Sequence, residues 1–520
     1  MTQAAKLPRR KAKLRPLFDG PEWTFELIQK VHDAMGEIAL GELGLDIYPN
    51  QIEVITAEQM LDSYSSIGMP LMYRHWSFGK RFARDEAYYK RGMRTLAYEL
   101  VINSDPCISY VMEENSMTMQ ALVIAHAAYG HNHFFKNNYQ FQMWTQSDHI
   151  IDYLSFAKRF VAECEERHGQ DAVESVLDAA HALMNQAISR DLRPRPRNIV
   201  QHEKERAARR RQHEESTYDD IYRTLPEIVR ESTAEPTESQ KDQRRLGLPE
   251  ENLLYFLEKN APKLEDWQRE LLRIVRLLSQ YFYPQRQTKM MNEGCATFVH
   301  YEIINRLYER GLLTDGTMLE FLHSHSSVIF QPAFNDRRFS GINPYALGFA
   351  LMNDIRRIAT EPTAEDREWF PDIAGCGDAM GTLREAWAHF RDESFILQFL
   401  SPKLIRDFRL FAVGDDAKAS AMEVAAIHDE QGYREVRRRL ARHYDVAAQD
   451  PDLQVTDADL SGSRRLVLTH LVRNGVLLEK TEAERTLQYL AQLWGYRVKL
   501  VEAEAEGGRV LKEHEALPMP

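Results

Sequence analysis

Three histidines stand within eight residues in the run Ala125-His126-Ala127-Ala128-Tyr129-Gly130-His131-Asn132-His133. Neutral imidazole is the commonest metal ligand among side chains, and clustered histidines on or near a buried helix are a pattern from which metal sites are built. An apolar run, Ala121-Leu122-Val123-Ile124, leads into this segment, and two aromatics, Phe134 and Phe135, follow it. The other reading of the segment is a set of partly buried histidines at the end of a helix.

A histidine site usually recruits a carboxylate. The candidate is Glu293, in Met290-Met291-Asn292-Glu293-Gly294-Cys295-Ala296. It opens an apolar helix and precedes a glycine, which lets another element come close. Glu293 and His300 are seven residues apart and share a helix face, as do His126 and His133 if their helix continues. His131, five residues beyond His126, falls on another face and joins it only if the chain kinks at Gly130. The sequence therefore points to a divalent transition metal, with zinc as the candidate ion. His126, His131 and Glu293 are the expected ligands, with His133 and His300 as additional candidates. The competing reading makes this face a polar stripe, with Glu293 complementing the helix dipole.

Hydrolysis at such an ion needs a base close to its water. The HExxH motif supplies two ligands and that base together. Here the corresponding run, His126-Ala-Ala-Tyr-Gly-His131, has alanine where the glutamate belongs and is one residue too long. A base would have to come from elsewhere, and Glu113, Glu114 and Glu165 are the candidates. Lys136, Asn137 and Arg286 are available to orient an anionic or amide substrate.

The elements that must position these residues are mostly helical. Apolar residues recur at helical spacing from Trp23 to Leu43, and Thr56-Ala-Glu-Gln59 has the form of a capping box. The stretch Ala97 to Tyr110 reads as a strand or a buried bend, with Pro106 excluding a helix. Ser116 to Ala128, Ile150 to Arg167 and Gln170 to Ile188 read as helices, as does the run from Glu293 until Gly311. After Arg409 strand-like runs appear, with the last at Tyr496 to Glu502. The expected fold is a mainly α-helical body with a small C-terminal α+β domain. Its parts would be a basic flexible tail at 1–20, a helical part with the histidines at 21–200, and a charged linker or insertion at 201–250. A second helical part at 251–409 would complete the same core, followed by the α+β domain at 410–505 and a tail at 506–520.

Twenty-two of the fifty residues at 201–250 are charged, with the two signs nearly balanced. The net charge of -12 opposes a general role in nucleic-acid binding. No apolar run of about 18 residues is present to span a membrane, and the N-terminus lacks the apolar core of a secretory signal. The four cysteines, Cys107, Cys164, Cys295 and Cys376, are widely spread with no CxxC, which fits a reducing, cytoplasmic setting.

Several long runs resemble the stage V sporulation protein R (SpoVR) family over about residues 22–505. They include Tyr48-Pro-Asn-Gln-Ile-Glu-Val-Ile, Asn103-Ser-Asp-Pro-Cys-Ile, Ala125-His-Ala-Ala-Tyr-Gly-His-Asn-His-Phe-Phe-Lys-Asn-Asn and Cys164-Glu-Glu-Arg-His-Gly. Met291-Asn-Glu-Gly-Cys-Ala-Thr-Phe, Asn343-Pro-Tyr-Ala-Leu-Gly-Phe, Phe370-Pro-Asp-Ile-Ala-Gly and Arg391-Asp-Glu-Ser-Phe-Ile continue the series. The family often has tryptophan at the position of Cys295, which argues against that thiol as a ligand. The resemblance implies a link to formation of the spore peptidoglycan cortex and, in bacteria that make no spores, to stress and stationary-phase physiology. It also implies a PrkA-like serine kinase and a von Willebrand A-like protein as partners. Two functions follow as expectations: a metal-dependent hydrolase, or a non-enzymatic regulator or scaffold acting with the kinase.

Overall fold

The computed structural model describes residues 15–65, 72–78, 80, 99–190, 246–414, 423–426, 428–460, 462–473 and 475–518. The expected charged insertion lies almost wholly outside these residues, as does most of the expected basic tail. Within residues 15–20, Phe18 is buried and the Leu17 N–H donates to the Leu312 carbonyl, so that part is not a free tail. The chain forms two compact units: residues 1–162 with 281–446, and residues 163–280 with 447–520.

The first unit is mainly helical. Helix α1 (Phe25–Gly36) starts at Thr24, whose hydroxyl accepts the Leu27 N–H. Three strands follow: β1 (Asn50–Ile55), β2 (Glu99–Ile102) and β3 (Cys107–Met112). Central β3 pairs in parallel with β1 and antiparallel with β2. Pro106 lies in the short link between β2 and β3, so the ambiguous stretch around it is a pair of strands. Its β-branched residues Val101, Ile102, Ile108 and Val111 suit a pleated surface.

From Met117 to Asn137 the chain is helical throughout: α2 (Met117–Ile124), a π-helix (Ala125–His131) and α3 (Asn132–Asn137). Ser116 caps α2 by accepting the Met119 N–H. Gly130 therefore neither kinks nor ends the helix. Three further helices complete the frame: α4 (Lys289–Glu309), α5 (Asp315–Val328) and α6 (Pro344–Thr360). Thr314 caps α5, and Asn343 caps α6 with Pro344 in its first turn, where a proline costs no hydrogen bond.

Helix α4 approaches its neighbours at backbone distance. A Cβ on Gly130 would lie 2.5 Å from Ala296 Cα, and one on Gly294 would lie 2.6 Å from Gly348 Cα. A Cβ on Gly348 would lie 2.5 Å from the Met290 carbonyl oxygen. The expected close approach at Gly294 is present, and Gly130 has the same task. Apolar faces fill in around these crossings: Phe298, Val299, Leu347 and Leu351 are fully buried in one continuous core with Met35 and Ile124.

Further along α6, Arg357 makes two bonds to Asp366, of 2.5 and 2.8 Å, and one of 2.9 Å to Asp354. Asp366 also accepts from the Thr363 N–H and hydroxyl. The guanidinium holds the Asp366 carboxyl far below the usual carboxylate range.

The second unit differs from the expected 410–505 domain. Its sheet has the order β4 (Leu453–Ala458), β5 (Leu466–Val472), β6 (Val498–Glu504) and β7 (Val510–Ala516). The outer pairs are antiparallel; β5 and β6 are parallel, joined by a crossover containing helix α7 (Lys480–Trp494). Residues expected as a C-terminal tail thus supply an edge strand, because alternate residues His514 and Ala516 turn into the buried face. Helices Gln170–Ala182 and Leu253–Asn260 belong with this sheet. Gln492 on α7 bonds Ser175, and Trp494 stacks on Phe256. Their amphipathic faces needed a partner, and α7 provides it. In turn 412–414, 423–426 and the helix Glu430–Tyr444 belong to the first unit.

Two stability outcomes follow. Gly294→Ala destabilises the protein by about 2 to 4 kcal/mol, since a methyl against backbone can be relieved only by moving a helix. Gly41→Ala, at a helical position with open space around the glycine, leaves stability unchanged or raises it by up to about 1 kcal/mol; urea denaturation of the two variants checks the contrast. Asp366→Asn costs about 2 kcal/mol at pH 7, where the charged pair is intact. The depressed carboxyl stabilises the fold above the ordinary carboxylate range and loses that effect as pH falls through it. The gap between wild type and Asp366→Asn therefore narrows below about pH 4, read as Tm against pH.

Candidate metal centre

The π-helix decides the local geometry. Its hydrogen bonds run from i to i+5, so residues five apart fall in line. His126 and His131, which a regular helix would place on different faces, both turn their Nε2 atoms toward one point. Their rings pack edge to face with centroids 4.7 Å apart.

Two carboxylates meet them there. Glu293 Oε2, from the first turns of α4, lies 3.6 Å from both His126 Nε2 and His131 Nε2. Glu99 Oε1, at the start of β2, lies 3.3 Å from His126 Nε2 and 4.0 Å from His131 Nε2. Among the described residues, Glu99, His126 and His131 form a group whose ligand atoms all lie within 4.8 Å of one another. His126 Nε2 and Glu293 Oε2 are buried without a hydrogen-bond partner. Uncompensated buried polar atoms are costly, and a cation among them would satisfy all four groups.

The opposite edges of both imidazoles are held. His131 Nδ1 is 2.9 Å from Asn292 Oδ1. The amide oxygen can only accept, so Nδ1 carries the proton and Nε2 presents its lone pair. His126 Nδ1 is 2.9 Å from His300 Nδ1, and His300 Nε2 is 2.9 Å from His325 Nδ1. With a lone pair on His126 Nε2, each ring donates outward to the next, and the last proton falls on His325 Nε2, which is buried without a hydrogen-bond partner. His300 thus stands behind a ligand candidate and does not face the cluster.

The electrostatics follow from burial and proximity. Burial pushes the Glu99 carboxyl up to about 7, helped by the neighbouring Glu293 and opposed by His126. Burial would raise Glu293 as well, but His126, His131 and a hydrogen bond with Tyr345 hold it below the usual range. Burial would lower His126, but Glu99 and Glu293 outweigh it and raise that imidazole. His131 is pushed down to about 4 by burial, which keeps it neutral.

Of the residues expected from the sequence, His126, His131 and Glu293 converge. His133 does not: its Nδ1 faces the Asp46 backbone, with Asn137 bonded beside it. The seven-residue spacing fails because the π-helix adds a residue between His126 and His133. Lys136 bonds the Asp46 carboxylate and the Ile47 carbonyl, and Asn137 bonds the Asp46 carbonyl. Both secure the loop before β1 and leave the cluster alone. Arg286 is exposed. Glu113 and Glu114 are exposed beyond β3, where Glu114 accepts the Ala57 N–H. Glu165 belongs to the second unit. The carboxylate beside His126 that was not expected from the sequence is Glu99. Its only signal in the sequence is a charge at the head of the apolar strand Leu100-Val101-Ile102.

The start of α4 is fixed by Asp392, whose carboxylate accepts the Met290 and Met291 N–H groups at 2.8 Å each.

Comparison with known proteins places these residues in context. The profile of the SpoVR-like protein family matches residues 22–449, and that of the SpoVR-like C-terminal domain matches residues 451–505. The chain is 52% identical over 497 residues to a protein of Escherichia coli (strain K12) described as uncharacterized protein YcgB, covering 96% of each. No solved structure matches the chain.

Asp392→Ala leaves two buried N–H groups without acceptors. It lowers stability by about 2 to 4 kcal/mol in urea denaturation, while Glu393→Ala, two bonds of which are 3.4 Å long, costs less than about 1 kcal/mol.

Proposed function

The chain belongs to the SpoVR family, and we propose that it is a metal-dependent hydrolase holding one divalent transition ion in the first unit. The observation that carries this reading is the meeting of His126 Nε2, His131 Nε2, Glu293 Oε2 and Glu99 Oε1 from three separate elements. Two imidazoles and carboxylate oxygens form a donor set that suits zinc. Two neighbouring buried carboxylates also call for positive charge.

In this reading His126, His131 and Glu293 hold the ion, and Glu99 takes a proton from the attacking water. A bound divalent ion supplies Lewis acidity to a carbonyl or phosphoryl group. Asn292 and His300 fix the ring orientations, and Tyr345 positions Glu293. The family resemblance supports a cytoplasmic role in stress and stationary-phase or sporulation physiology, including cortex formation, with a PrkA-like kinase and a von Willebrand A-like protein as partners.

A second reading has an observation of its own. Four protein donors can fill a tetrahedral site with no open position, which suits a regulator or scaffold with a structural ion. The role of Glu99 separates the two.

Elemental analysis of tag-free protein should find about one transition-metal ion per chain. His126→Ala and Glu293→Ala should lose it, and Asn292→Leu should weaken binding by about 10- to 100-fold. Glu99→Gln keeps the ion if Glu99 is the base and releases it if Glu99 is a fourth structural ligand. Wild-type protein without stoichiometric metal would overturn both readings.

A further inference from the structure

The second unit contains a cavity of about 290 Å³ far in character from the metal centre. Its walls are leucines from every layer: Leu453 on β4, Leu468 on β5, Leu500 on β6, and Leu487 and Leu490 on α7. Its polar lining lies in two places, Asn185 and Gln186 after the helix Gln170–Ala182 and Glu479, Glu482 and Thr486 around the start of α7, and no lysine or arginine lines it.

The wall is preformed. On the same sheet face, two residues beyond Leu468 and Leu500, His470 and Glu502 pair across β5 and β6 with Nδ1 and Oε2 3.1 Å apart. His514 on β7 bonds the other Glu502 oxygen at 2.9 Å. Glu502 is fully buried and also accepts the N–H of Leu478, which lines the cavity. One carboxylate thus ties three strands and the loop before α7 together. The leucines beside it cannot collapse inward at low cost, because a close-packed frame resists such movement.

We propose that this cavity binds a single alkyl chain carrying a head group that is not anionic. A volume near the lower end of small-molecule sites holds about eight to ten carbons, each methylene taking roughly the 30 Å³ of a liquid water molecule. The head is placed at the charged end of that lining, around the start of α7. Glu479 there accepts the Thr481 and Glu482 N–H groups, which keep it ionised, and Glu482 adds a second carboxylate. An ammonium or hydroxyl head can donate to these oxygens. A carboxylate head meets two like charges, and Arg485, which pairs with Glu482 at 3.2 Å, lies outside the lining.

The test is calorimetric titration of the full chain with decylamine, decanol and decanoate at pH 7, each below its micelle concentration. Saturable one-to-one binding of decylamine and decanol is expected, with decanoate at least tenfold weaker. Ala483→Phe, which places a ring in the cavity, should weaken both ligands at least tenfold with an unchanged circular dichroism spectrum. Glu482→Lys, at an exposed position that the fold tolerates, should move the preference tenfold toward decanoate. The proposal is overturned if neither decylamine nor decanol saturates, if decanoate binds as tightly as they do, or if folded Ala483→Phe binds them like wild type.

Discussion

Backbone contact between helices organises the first unit. Helix α4 is pressed against the π-helix at Gly130 and Ala296 and against α6 at Gly294 and Gly348. At such distances no side chain separates the axes, so residues beside the crossings are forced together. Glu293 adjoins one crossing and Gly130 sits between His126 and His131. The candidate site lies beside these crossings, and its dimensions follow from the absence of three methyl groups, at Gly130, Gly294 and Gly348. Asp392 then fixes the start of α4 along its own axis, so that closeness becomes a definite register.

The π-helix is the second condition. With ordinary i to i+4 bonding, His126 and His131 would differ by about 140° around the axis, from 3.6 residues per turn. One extra residue in the turn aligns them and moves His133 away toward Asp46. The same insertion thus recruits one histidine and dismisses another. Such bulges weaken a helix and persist where surrounding structure enforces them. Here the enforcement is visible in the complete burial of Ala125 to His131 and in the bonds from Asn132 to Tyr48 and Asn50 that secure the following turn.

This explains which features could be read in the sequence. Helices with strong periodicity and the strands at Leu453–Ala458, Leu466–Val472 and Val498–Glu504 were legible from local pattern. Residue type singled out His126, His131 and Glu293, although spacing alone put the two histidines on different faces and only the π-helix aligns them. Lys136, Asn137 and His133 misled for the same reason. Polar residues beside a site are indistinguishable in sequence from polar residues that secure a loop. The unit boundaries were hidden more deeply. Helices Gln170–Ala182 and Leu253–Asn260 carry apolar faces that fit any partner, and only the fold shows that the partner is α7. The strand Val510–Ala516 shows little hydrophobic alternation, with Lys512, Glu513 and Glu515 among its residues, so pairing with β6 defines it.

In the proposed reading, Glu99 lets the motif be absent while a carboxylate still stands beside His126. HExxH places the base one residue after the first ligand because a single helix turn must deliver everything. Once a strand end is brought beside the helix, the base need not share the helix at all. Here the position after His126 is Ala127, fully buried, where a glutamate would point into the core and not at the cluster. β2 and the π-helix are in contact, and the strand delivers the carboxylate from the side the helix leaves open. Burial at that strand end, with Glu293 close by, also raises the Glu99 carboxyl to about 7. In the proposed reading, the alanine that breaks the motif and the glutamate at the strand end are parts of one arrangement: a helix whose buried face must stay apolar, beside a strand end that need not.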